Sequence, residues 1–181
     1  MISLKSKITK KLLNYLFINP HESLYVNELS AKLQLDKRNL VKKLKELERE
    51  GIITSQKRGN LKFYSINRDF PLYSEYRKIV SKTIGLQEEL RSLLAGVEGV
   101  KHAYIYGSYA KDTMDAYSDI DLLVIGSHSI RLLQDRLNKL QKETDREINV
   151  VNMDEKEFKK RLKNKDHFIA NITCGKHIKA I

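Results

Sequence analysis

The chain has little cysteine and little proline, no tryptophan and no long apolar run. Cys174 is the sole cysteine of 181 residues, so no internal disulfide and no multi-cysteine zinc site can form within one chain. It stands in an apolar C-terminal segment and reads as a small buried filler. The two prolines, Pro20 and Pro71, fall where elements should end. No apolar stretch approaches the roughly 20 residues of a membrane span. The basic stretch from Met1 to Lys11 is followed by neither a long apolar run nor a small-residue cleavage site, so no signal peptide and no membrane association are expected. The expected location is cytoplasmic. No repeat or low-complexity segment is present.

Positive charge is abundant and uneven. The chain carries 34 Lys and Arg against 23 Asp and Glu, a net charge of +11. Residues 1–70 hold 15 of the cations and 7 of the acids, a net of +8, which leaves +3 for the rest. A concentrated positive field favours a polyanionic partner such as nucleic acid.

Periodicity divides the chain in two. Leu4 to Ile18 is helical by spacing, with Ile8, Leu12, Leu13, Tyr15 and Leu16 on one side. A short helix from Glu28 to Leu33 follows. A third helix starts after Asp36 as N-cap and runs to Glu50, with Gly51 as its stop. Ile52 to Gln56 and Leu61 to Ile66 read as strands around the polar turn Lys57-Arg58-Gly59-Asn60. Leu72 to Leu94 reads as a long helix weakened near Gly85, with a domain boundary near residue 80. Beyond it, strands at 100–106, 120–125 and 147–151 alternate with helices at 130–144, 154–162 and 167–173. A last short strand is expected around 177–181. This alternation predicts an α/β unit.

The densest chemical signal is Tyr106-Gly107-Ser108-Tyr109-Ala110-Lys111, followed after ten intervening residues from Ser108 by Asp119-Ile120-Asp121. Asp-x-Asp alone is commonplace, and Gly-Ser more so. Here Gly-Ser closes one apolar strand and the acidic pair opens the next. Residues at i and i+2 of a strand share a face, so the two carboxylates stand side by side and repel unless a cation joins them. Mg²⁺ takes oxygen ligands and shares sites with substrate phosphates. Gly107 permits close backbone approach, and Ser108 with the following amides can hold a phosphate.

On these residues, together with the apolar run Leu122 to Ile125, the chain resembles the minimal members of the polymerase-beta-like nucleotidyltransferases. The resemblance covers residues 97–151 well. It implies Mg²⁺ held by Asp119 and Asp121, NTP contact at Gly107, Ser108 and Lys111, and attack of an acceptor hydroxyl on the NTP α-phosphate with release of pyrophosphate. The family usually adds a third acidic residue from a later strand. Asn149 occupies that position within Ile148-Asn149-Val150-Val151, and an amide brings neither the charge nor the proton-accepting capacity of a carboxylate. Glu147, two residues earlier on the same face, is the candidate substitute and third catalytic residue beside Asp119 and Asp121.

The first 65 or so residues, in the order helix, helix, helix, hairpin, resemble a winged helix-turn-helix. Its third helix places Leu40, Val41, Leu44 and Leu47 on an apolar stripe. Arg38, Lys42, Lys45 and Arg49 fall at i, i+4, i+7 and i+11 on another, as a recognition helix presents cations to a major groove. Lys57 and Arg58 at the hairpin are the candidate wing contacts. Glu46, Glu48 and Glu50 dilute the charge at the helix end.

The five histidines show no metal-ligand spacing beyond His177 three residues after Cys174, and all five read as surface or core residues. Tyr73 and Tyr76 read as packing the two domains or a dimer partner. The expected fold is α/β (α+β): a winged helix at 1–70, a linker helix at 71–95 and a nucleotidyltransferase-like mixed sheet flanked by helices at 96–181. The functional expectation is Mg²⁺-dependent NTP binding, with nucleotidyl transfer to an unknown acceptor left open, joined to binding of double-stranded DNA. The alternatives are a DNA-binding regulator with a degenerate transferase domain, and a toxin–antitoxin component with a partner protein. Winged helices often form homodimers, and the sequence leaves that open too.

Overall fold

The computed structural model describes residues 6–115 and 117–181. Leu4 and Lys5 of the first expected helix lie outside the described residues. The fold is mixed α/β and divides into two units, Met1–Gln87 and Glu88–Ile181.

In the first unit, α1 (Lys7–Ile18) is followed by a two-residue strand β1 (Leu24–Tyr25), α2 (Val26–Leu33) and α3 (Lys37–Arg49). Asp36 caps α3 by accepting a hydrogen bond from the Asn39 amide at 2.9 Å. Gly51, just beyond the helix, takes φ +77, a left-handed stop that side-chain-bearing residues rarely adopt. The hairpin β2 (Ile53–Arg58) and β3 (Leu61–Ile66) then closes through Gly59-Asn60 alone. Lys57 and Arg58, expected in the turn, are the last residues of β2 instead. β1 adds to the other edge of β3, giving an antiparallel sheet in the order β1-β3-β2. Leu40, Leu44 and Leu47, one turn apart, are fully buried with Leu12, Leu13, Leu16, Leu29 and Ile53 in one core.

The long helix expected over 72–94 is two helices, α4 (Tyr73–Thr83) and α5 (Leu86–Ala95), separated at Ile84-Gly85. α4 belongs to the first unit. Val80 is buried in its core, and Tyr73 and Tyr76 pack there against Phe17 and Phe70, each pair with ring centroids 5.6 Å apart.

The second unit is built on β4 (Val100–Tyr106), α6 (Gly107–Lys111), β5 (Ile120–Gly126), α7 (Ile130–Thr144), β6 (Ile148–Met153), α8 (Glu155–Lys163), α9 (His167–Cys174) and β7 (Ile178–Lys179). Its sheet runs β6-β5-β4-β7, with β5 and β6 parallel and the other pairs antiparallel. Leu122 to Ile125 of β5 are fully buried, as a central strand covered on both faces requires. On one face Leu123 and Ile125 pack with Met153, Ile169 and Ile172 under α8 and α9. α7 buries Leu133, Leu137 and Leu140, a stripe at helical spacing.

Cys174, expected to be buried, is exposed. α9 turns Ile169 and Ile172 inward, and five residues of helix from Ile169 rotate Cys174 by about 140° away from that face. No helix among the described residues is long and apolar enough to cross a membrane.

Candidate active site and basic helix face

β4 delivers Tyr106 directly opposite Asp121 of β5. The chain then turns at Gly107 with φ +70, in the left-handed region. A β-carbon there would collide with the Asp121 carboxylate. Glycine is therefore required twice, by backbone conformation and by the carboxylate lying against it. α6 carries Ser108, half-buried, and Lys111, exposed, away from this turn.

Asp119 stands one residue before β5, and Asp121 is the second residue within it. Burial raises the Asp121 carboxyl above the ordinary aspartate range, and the neighbouring Asp119 raises it further. Burial and then Asp121 likewise push the Tyr106 hydroxyl up. The pair thus carries the mutual repulsion that a bound cation relieves.

β6 runs parallel to β5 with Asn149 in register with Asp121. The Asn149 side-chain amide donates to Asp119 Oδ2 at 3.1 Å. Asn149 is the third member of the constellation. Glu147, one residue before β6, is exposed and lines a groove beside the end of α7 with Asn138, Gln141 and Lys142. Its carbonyl accepts from the Ile120 amide at 2.9 Å, but its carboxylate makes no ion pair or hydrogen bond among the described residues. No three His, Cys, Asp or Glu side chains converge on a metal position among those residues.

Two residues at this site gave no sequence signal. Arg146, 7% exposed, donates from its guanidinium to the Ser118 carbonyl at 2.9 Å and so fixes the peptide that enters Asp119. An arginine between a helix and a strand reads as solvated. Phe168, at the start of α9, stacks edge-on against Tyr106 with centroids 5.7 Å apart. Ahead of Asp119, Ser118 Oγ donates to Asp115 at 2.8 Å and the Tyr117 amide does so at 2.9 Å. These bonds hold the Asp115 carboxyl below its ordinary range.

In the first unit, Arg38, Lys42, Lys45 and Arg49 are all exposed on α3, and Lys57 and Arg58 are exposed at the end of β2. Arg58 lies 4.9 Å over the Phe63 ring. The acids on α3 are turned to internal use: Glu46 pairs with Lys43 at 2.6 Å, while Glu48 accepts from Ser55 and from Lys62 at 2.8 Å, tying helix to hairpin.

Residues 84–172 match the nucleotidyltransferase domain family. No curated protein sequence matches the chain. Among solved structures, a toxin–antitoxin crystallised with AMP-PNP is similar at 17% identity and a TM-score of 0.39, over 52% of this chain and 72% of that one. A mutant form of the toxin–antitoxin MntA–HpeT is similar at 15% identity and a TM-score of 0.39, over 53% of this chain and 73% of that one.

Proposed function

We propose that the chain uses its nucleotidyltransferase domain, residues 84–172, to bind an NTP with Mg²⁺ at Asp119 and Asp121, and its first unit, as a winged helix, to bind double-stranded DNA. The observation that carries the nucleotide site is the Gly107 turn against the Asp121 carboxylate, which leaves a narrow backbone approach beside two repelling acids. The residues fit Mg²⁺: it is commonly held by one or two carboxylates and completed by substrate phosphates and water. Bound there, it would supply charge neutralisation to the phosphates. Gly107, Ser108 and Lys111 would hold the triphosphate, Tyr106 would buttress Asp121, and Arg146 would fix Asp119 through Ser118.

The first-unit reading rests on the element order, the antiparallel sheet β1-β3-β2 and the exposed stripe Arg38, Lys42, Lys45 and Arg49, with Lys57 and Arg58 on the hairpin. This is the equipment of a recognition helix and wing.

Nucleotidyl transfer is the catalytic form of the proposal. An acceptor hydroxyl oxygen bonds to the α-phosphorus, the bridging bond to the β-phosphate breaks, pyrophosphate leaves, and the hydroxyl proton passes to a carboxylate or water. Glu147 is the candidate proton acceptor. The second reading, a DNA-binding regulator that holds a nucleotide without turnover, is favoured by Asn149 standing in contact with Asp119. Incubation with α-labelled NTPs separates the two. Label transfer with pyrophosphate release, lost in Glu147→Gln, supports catalysis. Nucleotide binding without transfer to protein, DNA or RNA supports the regulator.

A further inference from the structure

The sheet face that carries Asp121 has two unlike sides. Side chains at matched positions of neighbouring strands share a face. Toward β6 that face presents Asn149 and Val151, in register with Asp121 and Leu123. Toward β4 it presents rings. Tyr106 stands opposite Asp121 and Tyr104 opposite Leu123, and both pack, half-buried, on the cluster of Leu123 and Ile125. β7 pairs with β4 through Tyr104 with Lys179 and Ile105 with Ile178, so the next antiparallel step sets His177 opposite Tyr106. Asp121, Tyr106 and His177 therefore form one row across β5, β4 and the residue that enters β7.

His177 is exposed. Its ring meets that of Tyr104 at 83° with centroids 5.5 Å apart, so the two make a corner on this face. His177 Nδ1 lies 3.1 Å from the Gly175 carbonyl oxygen. A carbonyl only accepts, so Nδ1 carries the proton, and the neutral ring keeps Nε2 as an acceptor. That acceptor has no partner among the described residues. Aromatic surface and an unused acceptor thus stand together on the β7 side of the carboxylates, where the β6 side has an amide and an aliphatic group.

We propose that the Tyr104–His177 corner seats the base of the nucleotide whose phosphates lie at Gly107, Asp119 and Asp121, and that His177 Nε2 accepts from an exocyclic amino group of that base. The inference deepens the nucleotide site proposed above and rests on it. Two strand spacings put His177 roughly 10 Å from Asp121. A nucleoside monophosphate has that reach, from its phosphorus to the far edge of its base. The base is the one part of an NTP with a π-face, and stacking on aromatic side chains is how proteins hold it. Adenine presents a 6-amino donor to Nε2. An oxo group at the same place sets acceptor against acceptor and leaves both unpaired.

The test is calorimetry with Mg²⁺ on the full chain as wild type, His177→Ala and His177→Phe. The three probes are ATP, purine riboside triphosphate, which lacks only the 6-amino group, and tripolyphosphate, which lacks the nucleoside. His177→Ala is expected to weaken ATP binding at least about fivefold, the loss of a stacked ring, and to leave tripolyphosphate binding unchanged. Removing the amino group should weaken binding to wild type about three- to tenfold. It should cost nothing in His177→Phe, which keeps a ring and has no acceptor. Unchanged ATP affinity in His177→Ala, or an amino-group effect that persists in His177→Phe, would overturn the base seat and leave the phosphate site standing. A wild type that binds neither ATP nor tripolyphosphate would overturn the nucleotide-site reading, and the base seat with it.

Discussion

The Asn149 side-chain amide reaches across from β6 to donate to Asp119 Oδ2 at 3.1 Å. An amide thus sits where a third carboxylate would repel the pair, and it satisfies one acid without adding charge. Asn149→Asp should therefore reverse both properties. We predict an increase of about tenfold or more in Mg²⁺ affinity, and a lower melting temperature at neutral pH in the absence of divalent cations. Mn²⁺ or Mg²⁺ titration together with thermal melts in chelator checks both.

Gly107→Ala places a β-carbon into the Asp121 carboxylate and forces a left-handed conformation on a residue that resists it. The expected loss of stability is about 1–3 kcal/mol. The expected loss of Mg-ATP affinity is larger than the fold destabilisation explains, because the displaced group is Asp121 itself. Calorimetry well below the variant's melting temperature distinguishes the two effects.

Asp121 links stability to pH. Its folded carboxyl is raised above the ordinary aspartate range, by burial first and Asp119 second. The folded state therefore holds the proton more tightly than the unfolded chain. Stability falls as pH rises from the unfolded value through the raised folded one, and the cost is fully present above it. Asp121→Asn should accordingly melt higher than wild type at neutral pH without divalent cations. The gap should close as pH drops below the ordinary aspartate range, and added Mg²⁺ should narrow it at neutral pH.

Arg146→Met leaves the Ser118 carbonyl without its guanidinium partner. A loss of about 1–3 kcal/mol is expected from that group alone. Nucleotide affinity should fall as Asp119 loses its fixed approach. Arg146→Lys, which keeps the charge but not the planar donor, should recover stability more fully than nucleotide binding. Thermal melts and Mg-ATP calorimetry on the two variants check this order.

For the first unit, Arg38→Gln, Lys42→Gln and Lys45→Gln together should flatten the salt dependence of duplex DNA binding by up to about 2.7 on a log–log plot, about 0.9 for each phosphate no longer neutralised. Mg-ATP binding should not change. An unaltered slope would remove α3 from the DNA-binding surface.

The parts of this molecule legible in its sequence are those written in short-range patterns. Asp36 before an apolar stripe and Gly51 after it mark α3, and the continuous apolar run after Asp121 marks a central strand. β1 is not legible, because two residues show no periodicity and Leu24 and Tyr25 become a strand only by pairing with Tyr64 and Phe63. Gly85 signals a weakness in a helix, and the structure turns that weakness into a break. The apolar character of its segment points Cys174 inward, whereas the helical phase set by Ile169 and Ile172 turns it out. At the site, Gly107, Asp119 and Asp121 are marked by type and spacing. Arg146 and Phe168 are not, since their roles depend on packing with Ser118 and Tyr106, 28 and 62 residues away.

The central claim is a working nucleotide site at the carboxylate pair, and Mg-dependent NTP binding measured by calorimetry tests it most directly. Wild type should bind an NTP only when Mg²⁺ is present, and Asp119→Ala/Asp121→Ala should abolish that binding while retaining a cooperative melt. Failure of the wild type to bind any of the common NTPs with Mg²⁺, or equal binding by the double variant, would contradict the account.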